Sequence, residues 1–136
     1  MTPEQIARSG TEHALQTALF CWTHLPDTVA VFPELGTSLL FAVPNGGLRD
    51  KITAGKLKAS GVKKGVPDIF LSIAKGGWFG FYIEMKKLGE KPTKEQLEFK
   101  KSVEDRGYLW MCFDSWEIAR DALMHYMTLP YTERRC

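Results

Sequence analysis

Two short stretches decide the fold: Gly65-Val66-Pro67-Asp68-Ile69-Phe70 and Tyr82-Ile83-Glu84-Met85-Lys86. Both are rich in β-branched and aromatic residues. Lys75-Gly76-Gly77 lies between them, which predicts a hairpin of strands over residues 67–73 and 80–86. Successive side chains of a strand point to opposite faces, so Glu84 and Lys86 share one face. Asp68 begins the neighbouring strand and can reach the same place.

These two acids and the lysine lie among apolar residues, where charged groups are costly to bury unless something binds them. A hard cation is one candidate, because Mg²⁺ takes oxygen ligands, keeps several waters and needs only one or two carboxylates. Such a cation can activate a water and stabilise charge on a phosphate. The alternative is that Glu84 and Lys86 form an ion pair at the end of the sheet or occupy separate surface positions.

The rest of the chain predicts the layers around this hairpin. Helical spacing predicts helices over residues 11–24, 50–60, 93–105 and 114–127, and apolar runs predict strands over residues 38–43 and 108–113. The order is helix, strand, helix, two strands, helix, strand, helix, which predicts an α/β fold with a mixed β-sheet flanked by helices. No linker divides the chain, so we expect one domain over residues 1–136 with its core at about residues 11–127.

Composition fits a globular protein rather than a membrane or disulfide-rich one. Of the 136 residues, 44% are apolar and 25% are charged, close to the average for globular domains. No apolar stretch approaches the ~20 residues that span a bilayer, and the N-terminus lacks the pattern of a signal peptide. The odd number of cysteines (Cys21, Cys112 and Cys136) predicts free thiols in a reducing compartment, which favours a cytoplasmic location.

Positive charge is concentrated before the first strand of the hairpin. Residues 49–66 hold six basic residues against one acid, although the whole chain has a net charge of only +2. A solvated face is one explanation, and contact with a phosphate backbone is the other. The second predicts phosphate neighbours at Arg49, Lys51, Lys63 and Lys64. The loop Pro44-Asn45-Gly46-Gly47 has two interpretations as well. Its glycines would let backbone N–H groups approach a phosphate closely, or the loop is an ordinary turn.

Pro67-Asp68 followed by Glu84-Met85-Lys86 resembles the signature of the PD-(D/E)XK nuclease superfamily. The wider context is similar to its VRR-NUC branch over about residues 11–113, in the family's order. The matching elements are Glu12 and Gln16, Pro44-Asn45-Gly46-Gly47, residues 61–68, Ile83-Glu84-Met85-Lys86, and Gln96.

The resemblance implies a restriction-endonuclease-like α/β core and DNA cleavage that depends on Mg²⁺ or Mn²⁺. A chain of little more than this domain resembles the stand-alone members of the family from phages and bacteria. Those members are associated with dimers that act on branched DNA such as four-way junctions, so the resemblance also implies a homodimer with such a substrate. The expected location is the cytoplasm of a bacterial cell or of a phage-infected host.

The same resemblance assigns roles to residues at the hairpin. Asp68 and Glu84 would ligate the metal directly, with the Met85 backbone carbonyl as a third ligand. Lys86 would position the attacking water or stabilise the transition state. Whether it acts as a base stays open, because nearby carboxylates favour its charged form.

Two residues on helices have a functional and a structural interpretation. The resemblance makes Glu12 an additional catalytic acid that reaches the metal directly or through water, whereas its spacing from Ser9 fits a capping box. It also places Gln96 near the catalytic lysine, whereas Thr93 and Gln96 have capping-box spacing too.

Two other functions compete with a nuclease. One is a non-catalytic DNA-binding module with a nuclease-like fold, which the presence of Glu12, Asp68, Glu84 and Lys86 argues against. The other is an unrelated small α/β protein whose acids merely pair with lysines. It predicts that no metal binds at the hairpin.

Overall fold

The computed structural model describes residues 1–44 and 51–134, without the side chains of Lys51 and Ile52. The predicted order of helices and strands is confirmed within these ranges, with two short helices and two 3₁₀ turns (Ala7–Ser9 and Pro33–Gly36) in addition. No helix in these ranges is long and apolar enough to cross a membrane. The elements are α1 (Pro3–Ile6), α2 (Glu12–Thr23), α3 (Pro26–Val31), β1 (Leu40–Ala42), α4 (Lys51–Ala59), β2 (Ile69–Leu71), β3 (Phe81–Met85), α5 (Lys94–Glu104), β4 (Leu109–Phe113) and α6 (Trp116–Thr128).

The strands form a mixed sheet in the order β1-β2-β3-β4. β2 is antiparallel to both β1 and β3, whereas β4 lies parallel to β3. Parallel neighbours need a crossover connection, and α5 provides it between β3 and β4. The predicted hairpin of β2 and β3 is confirmed. Its turn contains Gly76 and Gly77 at φ of 63° and 89°, a region that residues other than glycine rarely adopt.

One face of the sheet carries the main hydrophobic core. Alternate residues of β2 and β3 point to this face, among them Ile69, Phe81 and Ile83, each 0% exposed. They pack in one cluster with apolar residues of α2 and α6. This packing of an amphipathic helix pair on the sheet fixes the position of α2, and therefore of Glu12 at its first turn.

The opposite face carries two adjacent rows, each with one residue that lies in, or directly next to, each of the four strands. We call the first the acid row (Val43, Asp68, Glu84 and Cys112) and the second the aromatic row (Phe41, Phe70, Tyr82 and Trp110). The Val43 N–H donates to the Asp68 carbonyl at 2.7 Å, which continues the pairing of β1 and β2 into the acid row. Alternate strand residues lie about 7 Å apart, so the two rows are neighbours on one surface.

Candidate active site

A pocket of about 250 Å³ opens at the acid row, between the sheet, α2, α5 and the loop that precedes β2. All five side chains that the sequence singled out for catalysis line this pocket, although they come from distant parts of the chain. Its lining consists of Glu12, Lys63, Lys64, Gly65, Val66, Asp68, Glu84, Lys86 and Gln96.

Asp68 and Glu84 form the centre of the pocket. Asp68 immediately precedes β2, and its Oδ2 accepts the Met85 N–H at 2.9 Å, in place of a main-chain acceptor. This bond holds the Asp68 carboxyl within hydrogen-bonding reach of Glu84. Glu84 is only 3% exposed, and its Oε2 has no hydrogen-bond partner. A buried polar atom without a partner is rare in a native protein and is typical of a missing ion or water.

Burial raises the pKa of Glu84 to about 8, and the adjacent Asp68 charge adds to the effect while Lys86 opposes it. Burial also raises the pKa of Asp68, against the Met85 N–H bond, which lowers it. Two carboxylates this close cannot both ionise without a compensating charge. At neutral pH the pair therefore retains a proton, and a bound cation could take the place of that proton.

We predict that the metal-free protein loses stability as the pH rises. The folded state of Glu84 binds its proton more tightly than the unfolded chain, so the free energy of unfolding falls between about pH 4.5 and pH 8. Glu84→Gln replaces the carboxyl with an amide that can donate to Asp68. It should raise stability at pH 8 by about 1–3 kcal/mol, the cost of an unsatisfied buried group.

Thermal unfolding in EDTA from pH 5 to pH 9 tests this prediction. Glu98→Gln is the matched control, because its side chain is 65% exposed on α5. The same pH dependence in wild type and Glu84→Gln would show that Glu84 is ionised in both states.

Lys86 is the buried cation of the pocket. It follows β3 directly, shares a face with Glu84 and is 7% exposed. Its Nζ lies 4.0 Å from Glu12 Oε1. A buried ammonium group is costly without nearby negative charge, and the acids of the pocket supply that charge.

Glu12 comes to the pocket from the first turn of α2. The Ser9–Glu12 capping box is not formed. Thr11 caps the helix instead and accepts the Ala14 N–H at 3.0 Å. This leaves the Glu12 carboxyl free to face Lys86, with 47% of its side chain exposed. Partial burial raises the pKa of Glu12, the Lys86 charge opposes this, and Asp68 and Glu90 reinforce it.

Gln96 forms the capping box that its spacing predicted and also contacts the acid pair. Its Oε1 accepts the Thr93 N–H at 2.8 Å, which completes a capping box at the start of α5. Its Nε2 donates to Glu84 Oε1 at 2.8 Å. An amide has a donor end and an acceptor end, so one side chain begins the helix and orients the acid.

Gly65 lets the lysine-bearing loop approach α5. Its φ is +84°, and a Cβ at this position would lie 2.5 Å from the Glu95 carbonyl oxygen. Only glycine fits such a contact. The approach places the exposed residues Lys63 and Lys64 at the pocket wall, so two of the predicted phosphate neighbours lie beside the acids.

The other predicted DNA contacts lie outside the residues that the structure describes. Asn45, Gly46, Gly47 and Arg49 precede the second described range, and the side chain of Lys51 is not described.

The structure adds two residues that sequence reasoning missed at this site. Glu90, in the loop after β3, lies within hydrogen-bonding reach of Glu12, and only its position shortly after the motif hinted at this. Cys112 pairs in register with Glu84 and is half-buried rather than a core residue. Burial, followed by the Glu84 charge, raises the pKa of its thiol to about 11.

The donor set fits a hard cation that keeps part of its water shell. Within residues 1–44 and 51–134, no three His, Cys, Asp or Glu side chains converge as a metal cage. The pocket offers the two carboxylates of Asp68 and Glu84, and Glu84 Oε2 is unpartnered. Two carboxylates suit Mg²⁺, which keeps several waters, better than they suit an ion whose ligands all come from the protein. The N–H and C=O of one strand residue point to the same side. The Met85 carbonyl is therefore directed toward Asp68, as its N–H is.

Comparison with known proteins agrees with this geometry. Neither a protein-family model nor a curated protein matches the sequence. Among solved structures, a chain described as "VRR_NUC domain protein" superimposes with a TM-score of 0.73 at 25% sequence identity, over 89% of this chain and 91% of that chain. The resemblance found in the motifs is thereby confirmed at the level of the fold. The chain therefore has the fold of a VRR-NUC domain, with a restriction-endonuclease-like core.

Proposed function

We propose that this protein is a metal-dependent endonuclease that hydrolyses DNA phosphodiester bonds. The observation that carries the proposal is the juxtaposition of the Asp68–Glu84 pair and the buried Lys86 in one polar pocket of a VRR-NUC fold. Such a combination has a steep electrostatic cost unless a cation and an anionic substrate share it.

Asp68 and Glu84 would hold Mg²⁺ or Mn²⁺, together with the Met85 backbone carbonyl. Glu12 faces the same pocket from α2 and would reach the ion directly or through water. When bound, the ion would acidify a water and offset charge on the phosphate. Gln96 keeps Glu84 in position through its 2.8 Å hydrogen bond.

Lys86 would act on the phosphate rather than on the ion. Its ammonium group enters the pocket among carboxylates and cannot move far, because the side chain is 9% exposed. A fixed positive charge stabilises negative charge that develops on a phosphoryl oxygen. The same ammonium could alternatively orient the water that attacks.

Basic residues around the pocket would hold the DNA backbone. Lys63 and Lys64 are exposed at its wall, and Lys56 and Lys58 are exposed on α4. Lysines bind DNA by releasing counterions from phosphates. The DNA contacts predicted at residues 45–47, Arg49 and Lys51 lie outside what the structure describes and stay predictions.

The proposal also includes selectivity for branched DNA and assembly into a homodimer. One pocket cuts one strand, so a symmetric dimer would bring two cutting centres to a substrate with two strands to cut. Four-way junctions are such a substrate.

A cleavage panel tests the proposed function. Four-way junction, flap, splayed and plain duplex DNA are incubated with Mg²⁺, with Mn²⁺ and with EDTA. We expect metal-dependent nicks, with the junction cut fastest, and a dimeric mass by light scattering. Binding without cleavage of any substrate in either metal would instead identify a non-catalytic DNA-binding module. A monomeric mass at working concentration would exclude the dimer.

A further inference from the structure

The aromatic row lies next to the acid row on the same face of the sheet. Phe41 and Phe70 are directly paired, as are Phe70 and Tyr82. Asp68 and Glu84 stand one alternate residue further along β2 and β3, about 7 Å away. A row of aromatic rings therefore lies directly beside the candidate metal ligands.

Most of this row is occupied by contacts within the protein. The Phe70 ring packs against Tyr82 with a centroid distance of 4.4 Å. It also leans over Gly80, where a Cβ would lie 2.7 Å from Phe70 Cζ. Phe99 of α5 covers Tyr82 at 5.1 Å. These rings are held in place by one another and are only partly exposed.

Phe41 differs from its neighbours, because it ends the row on the edge strand and is 41% exposed. It meets Phe70 edge to face, at 5.8 Å and 70° between the ring planes. Its ring is therefore fixed on one side and open on the other. Phe41 lies three residues before Pro44 in the sequence.

We propose that Phe41 stacks on an unpaired nucleobase of the bound strand, next to the pocket that Asp68 and Glu84 line. This inference rests on the proposed nuclease function and specifies that a nucleotide beside the cut, such as one opened at a branch point, is unpaired in the complex. Base stacking on an aromatic ring tolerates any sequence, because every base has a π-face. Lys63 and Lys64, at the wall of the pocket, supply the positive charge that a nucleotide's phosphate requires.

The test measures binding to duplex DNA with a single unpaired 2-aminopurine and to the fully paired equivalent, with Ca²⁺ in place of Mg²⁺ to slow cleavage. Stacking quenches 2-aminopurine fluorescence. We expect quenching with wild type and with Phe41→Tyr. Phe41→Leu, which keeps an apolar contact with Phe70, should lose the quenching and bind the unpaired substrate on the order of tenfold more weakly. Binding to the fully paired duplex should not change.

Phe79→Leu is the matched control. Phe79 is 57% exposed and lies five residues before Glu84, about 16 Å away along the strand. This variant should behave as wild type. Melting temperatures show that each variant is folded.

The outcomes separate this inference from the proposed function. Suppose that wild type binds and cuts DNA, and that Phe41→Leu matches it in 2-aminopurine quenching and in affinity for the unpaired substrate. The inference is then wrong, and the proposed function is unaffected. If Phe41→Leu instead converts a dimer to a monomer with unchanged quenching, Phe41 belongs to a subunit interface and the inference is wrong. A wild type that binds none of the DNAs contradicts the proposed function.

Discussion

Asp68→Asn should abolish metal-dependent cleavage and leave the fold intact. The asparagine oxygen can still accept the Met85 N–H, which Asp68 now accepts at 2.9 Å, and its amide can donate to Glu84. The change therefore removes one negative charge and one good metal ligand, with little effect on shape. Loss of an outer partner of a metal site typically costs 10- to 100-fold, so loss of a direct ligand should lower kcat by more than about 100-fold.

Single-turnover cleavage of the best DNA substrate, together with Mn²⁺ calorimetry, measures both effects. Asp114→Asn is a matched control, because Asp114 Oδ2 also accepts a backbone N–H, that of Gly89 at 3.1 Å, outside the pocket lining. It should cut at the wild-type rate. Normal cleavage by Asp68→Asn would show that the metal does not bind in this pocket.

Lys86→Met should lower kcat nearly as much as Asp68→Asn does. Unlike Asp68→Asn, it should not weaken metal binding. Methionine fills similar space in the buried position but removes the ammonium group that faces Glu12 at 4.0 Å. Loss of one charge-stabilising group costs about 10²- to 10³-fold in kcat. Mn²⁺ should bind at least as tightly as before, because a positive charge next to the cation has been removed.

The matched control is Lys87→Met, the neighbouring lysine, which is 60% exposed and pairs with Glu90. It should retain full kcat. DNA affinity should fall only slightly in either variant, since each loses one positive charge. A Lys86→Met protein that cuts normally would reduce Lys86 to a structural counterion of Glu12.

The hairpin and the residues upon it were predictable because their determinants are local. Alternation on a strand puts Glu84 and Lys86 on one face, and glycines at the turn set the pairing with β2. The order of the helices and strands followed from hydrophobic periodicity for the same reason. The two short helices before β1 were missed, since four to six residues give too little periodicity to detect.

The remaining parts of the pocket depend on contacts between distant residues. Neither Glu90 nor Cys112 belongs to a local pattern, and each meets the site only because β4 and the loop after β3 fold back beside Glu84. The two roles of Gln96 could be listed from sequence, but their coexistence depends on how closely α5 approaches β3. Exposure of Phe41 likewise depends on the strand order, which makes β1 an edge.

The side chain of Gln96 couples two events: formation of the first turn of α5 and alignment of the Glu84 carboxylate. Forming the first turn of a helix is the unfavourable step of helix growth, and here the residue that promotes it also anchors a carboxylate on the sheet. Fraying of the N-terminus of α5 would release Glu84 as well as a backbone amide. Conversely, an ion that immobilises Glu84 would suppress that fraying, so occupancy of the pocket is coupled to the order of the crossover helix.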